Sequence, residues 1–115
     1  MVKKILSILF TLALVCGLTI GTASAANLKV GLVFDIGGQG DESFNDSAYR
    51  GLQWASKLGV THVEIEPGAD ADRETGLRMI ASQGFDLVIG VGFLFTDAIK
   101  AVADEFPDTK FAIID

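Results

Sequence analysis

The chain has 115 residues, half of them hydrophobic, with a formal net charge of −6 and a pI near 4.6. A surface this acidic repels nucleic acid and anionic lipid, so neither is expected as a partner. Cys16 is the only cysteine, which excludes an internal disulfide and any multi-cysteine metal or redox centre.

The first 25 residues follow a logic of their own. Lys3 and Lys4 precede the apolar stretch ILSILFTLALVCGLTIG, and Ala23, Ser24 and Ala25 supply a small-x-small cleavage pattern. Residues 1–25 therefore read as a secretory signal peptide cut before Ala26, because no stop-transfer charges follow the apolar run. Cys16 lacks the small residue that directly precedes a lipidated cysteine, and apolar sequence continues past it. A soluble periplasmic product is the expectation, with lipid anchoring the second choice. Loss of the two leader lysines moves the net charge from −6 to −8.

From Ala26 to Asp115 short apolar runs alternate with helical patterns. LKVGLVF (Leu28 to Phe34) has no room for a polar face and reads as a buried strand. From Phe44 the period becomes helical: Ala48, Leu52, Ala55 and Leu58 share a face and Gly59 stops it. Ser43 with Asp46 three residues later fits a capping box. THVEIE (Thr61 to Glu66) alternates, as a more exposed strand does, and ends at Pro67 and Gly68. A second helix, starting near Asp70 or Asp72, carries Leu77, Ile80 and Ala81 towards Gly84. DLVIGVG (Asp86 to Gly92) is a second buried strand. Ala98, Ile99, Val102 and Phe106 mark a third helix closed by Pro107, and KFAIID is a fourth strand, also expected to be buried. A chain stopping inside such a strand suggests a truncated domain.

The order β-α-β-α-β-α-β implies an α/β fold, a parallel sheet covered by helices on both faces. Ligands of such sheets lie beyond the carboxyl ends of the strands, near the switch in strand order. Those ends are Asp35 to Gly40, Pro67 to Asp70, Gly92 to Phe95, and Asp115.

The first of these loops, DIGGQGDESFN, imitates a phosphate loop only in part. The third glycine of G-x-G-x-x-G is missing, and Asp41 and Glu42 stand where a pyrophosphate would approach. No Gly-Lys-Ser/Thr follows, so a P-loop is excluded. Asp41, Glu42 and Asp46 would favourably oppose the dipole of the helix that follows. Asp35, before the loop, and Phe44, at its mouth, need another account. A phenylalanine on a first turn is commonly a core anchor, but an uncharged planar ligand held by a carboxylate and stacked on a ring would use both residues.

Other constellations are weak. Asp70, Asp72 and Glu74 start like a calcium loop without its central glycine or distal glutamate, so helix capping accounts for them better. His62 has no second His or Cys, and Trp54 flanks the stripe of the first helix as a packing residue. No nucleophile–base pair is visible, and neither catalytic residues, cofactor nor metal is expected.

VGLVFDIGGQGDESFNDSAYRG, with its D-x-G-G-x-x-D-x-S-F-N signature, resembles the opening of the basic membrane protein family of substrate-binding proteins, also called purine nucleoside receptors. DLVIGVGFLFTDAIKAVADEFPDTKFAIID is similar to the family's third and fourth strand region. The resemblance implies a two-lobed type I periplasmic binding protein that delivers a nucleoside to an ABC transporter permease. Residues 26–115 would be its incomplete N-terminal lobe, and the missing C-terminal lobe would close on the ligand. By position, Phe44 would stack on the purine and Asn45 would lie in or beside the pocket. Asp35 and Asp115 would offer polar contacts to the base, and Gly92 and Phe93 would form the adjacent wall. A type I binding protein for a sugar or other polar solute is the alternative, and an extracytoplasmic enzyme on a Rossmann-like sheet a third reading.

Overall fold

The computed structural model describes residues 27–68 and 72–115. The leader, its cleavage site, Cys16 and Asp70 lie outside the described residues. Within them the chain forms β1 (Lys29–Val33), α1 (Phe44–Lys57), β2 (Thr61–Ile65), α2 (Asp72–Ser82), β3 (Leu87–Val91), α3 (Phe95–Ala103) and β4 (Lys110–Ile114). The expected order of strands and helices is the observed one. All four strands run parallel in the order β2-β1-β3-β4.

That order fixes where the helices go. The chain steps from β1 to β2 on one side, then crosses back over β1 to reach β3 and continues outward to β4. Right-handed crossovers put α1 on one face of the sheet and α2 and α3 on the other. The side chains divide accordingly. Val30, Leu32, Phe34 and Val91 pack with Ala48 and Leu52 of α1, while Val33 and Val88 pack with Leu77, Ile80, Phe95, Ala98 and Val102. Alternation within continuously apolar strands thus serves two cores at once. Gly31 is required on the second face, because a Cβ there would collide with Ile80.

Three local expectations are corrected. Ser43 is the N-cap of α1 but makes no side-chain cap hydrogen bond; Asp41, with more reach from a position two residues earlier, accepts the amides instead. Leu58 and Trp54 are 74% and 68% exposed. Leu58 falls just past the end of α1, off its buried stripe, and Trp54 lies on the solvent side with Lys57 Nζ 4.7 Å from its ring centre. β4 is one of the two edge strands, and its residues are exposed or half-buried because no strand pairs with its outer side among the described residues.

The two sheet faces are not equally covered. Alongside α1 an open apolar groove of about 420 Å³ runs over Val30, Leu32, Leu87 and Ile89 to Ile114. No helix among the described residues is long and apolar enough to cross a membrane.

Candidate ligand-binding site

The switch in strand order lies between β1 and β3, whose carboxyl ends carry Asp35 and Gly92. A cavity of about 190 Å³ opens there, lined by Asp35, Ile36, Asp41, Phe44, Asn45, Val91, Gly92, Phe93 and Asp115. All six residues singled out in the sequence border this one cavity. Ile36, Asp41 and Val91 complete its wall.

The loop between β1 and α1 is held by carboxylates. Asp41 accepts backbone N–H groups from Ser43, Asn45 and Asp46 at 2.8, 3.0 and 3.1 Å. Asp46 accepts those of Gly40 and Glu42 at 2.7 and 3.1 Å. Desolvation pushes the Asp41 pKa up, but the three amide donors and the positive charge of Arg50 outweigh it, and the net shift is downward. The acids of the glycine loop therefore occupy the amides that a phosphate would otherwise use. Glu42 has φ 52°, a left-handed conformation that costs a side-chain-bearing residue about 1–2 kcal/mol.

Asn45 ties helix to strand. Its side-chain oxygen accepts the Asp35 N–H at 3.0 Å and its amide donates to the Asp35 carbonyl at 3.4 Å, and the residue is buried. The neighbouring Phe44 is not a core anchor: it is 53% exposed at the cavity rim. Its ring is free to meet a ligand on one side.

Asp35 is held on its far side. Arg73 Nη2 lies 2.7 Å from Asp35 Oδ1, which also accepts the Ile36 N–H at 2.9 Å. Arg73 comes from the first turn of α2, is 7% exposed, and has its guanidinium carbon 5.7 Å from the ring centre of Phe95. Sequence reasoning missed Arg73. An arginine on the first turn of an amphipathic helix reads as surface charge, and only the fold brings it across the sheet to Asp35.

The opposite wall is short. Gly92 has φ +96°, and a Cβ there would stand 2.9 Å from Asp35 Oδ2. Its N–H donates to the Ile114 carbonyl at 2.7 Å, which brings Asp115 beside it. Phe93 and Leu94 then lead into α3, with the Thr96 N–H and hydroxyl both donating to the Phe93 carbonyl. Among the described residues no group of acidic, His or Cys side chains could hold a metal ion.

The sequence and the fold of this chain both have close counterparts. A family model described as "ABC transporter substrate-binding protein PnrA-like" matches residues 28–115. The chain belongs to that family, which is one of substrate-binding proteins and not of enzymes. An uncharacterized lipoprotein of Pyrococcus abyssi is 46% identical over 93 residues, covering 79% of this chain and 23% of that protein. The ABC transporter nucleoside-binding protein BmpA of Lactococcus lactis is 35% identical over 94 residues, covering 77% of this chain and 27% of the relative. A crystal structure of an ABC transporter solute-binding protein from Aeropyrum pernix is similar at TM-score 0.69 and 40% identity, over 76% of this chain and 24% of that one. The chain thus spans about a quarter of the length of the relatives it matches.

Proposed function

We propose that this chain is the N-terminal lobe, residues 26–115, of an exported receptor that binds a purine nucleoside and delivers it to the permease of an ABC importer. The observation that carries this reading is the chemistry of the switch-point cavity. Two carboxylates, Asp35 and Asp115, border it and can only accept hydrogen bonds while ionised. The loop amides nearby are taken by Asp41 and Asp46, and Arg73 is committed to Asp35. A ligand with phosphate or carboxylate would meet repulsion from Asp35 and Asp115, and among the described residues no positively charged side chain lines the cavity to offset it. A neutral ligand with N–H or O–H donors and a flat face suits the same walls, with Phe44 stacking on the face.

In this reading Asp35 and Asp115 accept from the base, Asn45 holds the rim, and Gly92 and Phe93 form the wall. The rest of the longer polypeptide supplies an opposing lobe and the contacts to the sugar. The nucleoside-binding name of the Lactococcus relative favours a nucleoside over a free sugar.

Titration calorimetry of the full-length protein against nucleosides, free sugars and nucleoside phosphates tests the assignment. Binding of a nucleoside with rejection of its 5′-phosphate is expected. Preference for a sugar, or tighter binding of the phosphate, would overturn it.

Export itself rests on the leader of residues 1–25. The archaeal relatives are named lipoproteins, which favours a membrane anchor more than the leader's own cleavage pattern does. Mass spectrometry of the exported protein distinguishes an N-terminus at Ala26 from an acylated Cys16.

A further inference from the structure

We infer that Arg73 is a positioning residue for ligand recognition: it fixes the Asp35 carboxylate so that one oxygen is saturated by the protein and the other is presented to the cavity. The inference rests on the nucleoside reading above and assigns a role to a residue that does not itself line the cavity.

Four observations carry it. Arg73 is buried, and a buried guanidinium is retained only where its charge is paired. Its Nη2 and the Ile36 amide both donate to the same oxygen, Asp35 Oδ1. The second oxygen, Oδ2, is turned towards Gly92, a residue of the cavity wall, and a side chain at position 92 would run into it. Finally, the guanidinium lies over the ring of Phe95, which is fully buried at the start of α3. Arg73 therefore links α2, the end of β1 and the start of α3 behind the ligand face.

A carboxylate held this way is a fixed acceptor. Without the arginine, Asp35 could rotate about its side-chain torsions or turn into solvent, since its side chain is 28% exposed. The donor on the ligand would then have to order the carboxylate as well as bond to it. Arginine suits the post better than lysine, because its planar group bonds an oxygen and stacks on a ring at once.

The test uses full-length protein and two ligands that share a purine ring and ribose. Inosine carries a ring N–H that a carboxylate can accept; purine riboside lacks it. In wild type inosine binds the tighter. Arg73→Met fills the same space without charge and leaves Asp35 able to hydrate, so the fold survives. It is expected to lower inosine affinity by about tenfold, the scale of one charge-assisted hydrogen bond, and to bring the inosine to purine riboside ratio close to one. Arg73→Lys keeps the charge and should recover part of that ratio. A purely structural arginine would lower the melting temperature and leave the ratio untouched, and that result overturns the inference, as does a lysine variant no better than methionine. If wild type binds neither nucleoside, the functional reading fails instead. Ligand-free crystal structures of wild type and Arg73→Met then decide the positioning role. A carboxylate that turns away from Gly92 upholds it, and one that keeps its place without the arginine refutes it.

Discussion

Two loops meet at the cavity, and they are built in opposite ways. The one after β1 is long, rich in glycine, and held by the carboxylates of Asp41 and Asp46 acting on its own amides. The one after β3 is short. It turns at Gly92 and is anchored by Phe95, which is fully buried between α3 and the sheet. One wall of the site thus depends on ionised side chains and the other on apolar packing and a single backbone conformation. The difference shows that two sides of one ligand site can respond to quite different perturbations.

The largest effect is expected from the packed wall. Phe95→Ala should destabilise the protein by about 3–5 kcal/mol, because it removes a buried aromatic ring from the core shared by α2 and α3. Denaturant unfolding measures this directly. A loss below about 1 kcal/mol would mean that the short loop does not owe its position to that anchor.

Phe44, on the long loop's side, should behave in the opposite manner. Its ring is half exposed, so Phe44→Ala is expected to leave the melting temperature nearly unchanged. Ligand affinity should fall by about 1–3 kcal/mol, roughly five- to a hundred-fold, on the scale of base stacking. Phe44→Trp should retain more binding than Ala, since a flat ring suffices. A large loss of apo stability would return Phe44 to the core.

Gly92→Ala sharpens the contrast further. The left-handed backbone and the approach to Asp35 Oδ2 together predict a loss of about 1–3 kcal/mol in stability. The same change at Gly40, where the backbone is also left-handed but nothing lies within 4 Å of an added Cβ, should cost less. Comparing the two variants separates conformational strain from collision.

The smallest effect belongs to the charged latch and should show as pH dependence. Asp41 has a folded pKa below its ordinary value of 3.8. Its contribution is therefore complete above that value and is lost as pH falls through the folded pKa. Protection of the Ser43, Asn45 and Asp46 amides against exchange, taken relative to the intrinsic rate at each pH, should fall below pH 4 in wild type and be low already at neutral pH in Asp41→Asn. Equal protection in both proteins would show that the carboxylate is not what holds the loop.

Most of the architecture could be read in advance because buried parallel strands write themselves as unbroken apolar runs. LKVGLVF and DLVIGVG have that form, and Gly59 and Gly84 mark the helix ends with φ of 92° and 72°. The six candidate contacts lay at strand ends and on the first turn of α1, positions that the chain order fixes without knowledge of side-chain geometry. What escaped was set by contacts distant in sequence or by small choices among neighbours. Arg73 and Asp35 are 38 residues apart and become partners only through the crossover from β2 to β3. The amides at the start of α1 had two nearby acids and a serine to choose from, and the spacing rule favoured Ser43 although Asp41 reached them. Leu58 obeyed the helical period but fell one residue beyond the last turn. The expected burial of β4 failed because an apolar run does not say whether its strand has a neighbour on both sides.

Asn45 does for Asp35 what an adjacent strand does for a residue within the sheet, accepting its N–H and donating to its carbonyl. The hydrogen-bonded pattern of β1 is carried two positions past the strand, by the Ile65 carbonyl at Phe34 and then by a side chain of α1 at Asp35. In mechanical terms this is a weld between the end of the strand and the beginning of the helix. Phe44 and Asp35, one on each side of it, are thereby coupled through the backbone and side chain of Asn45.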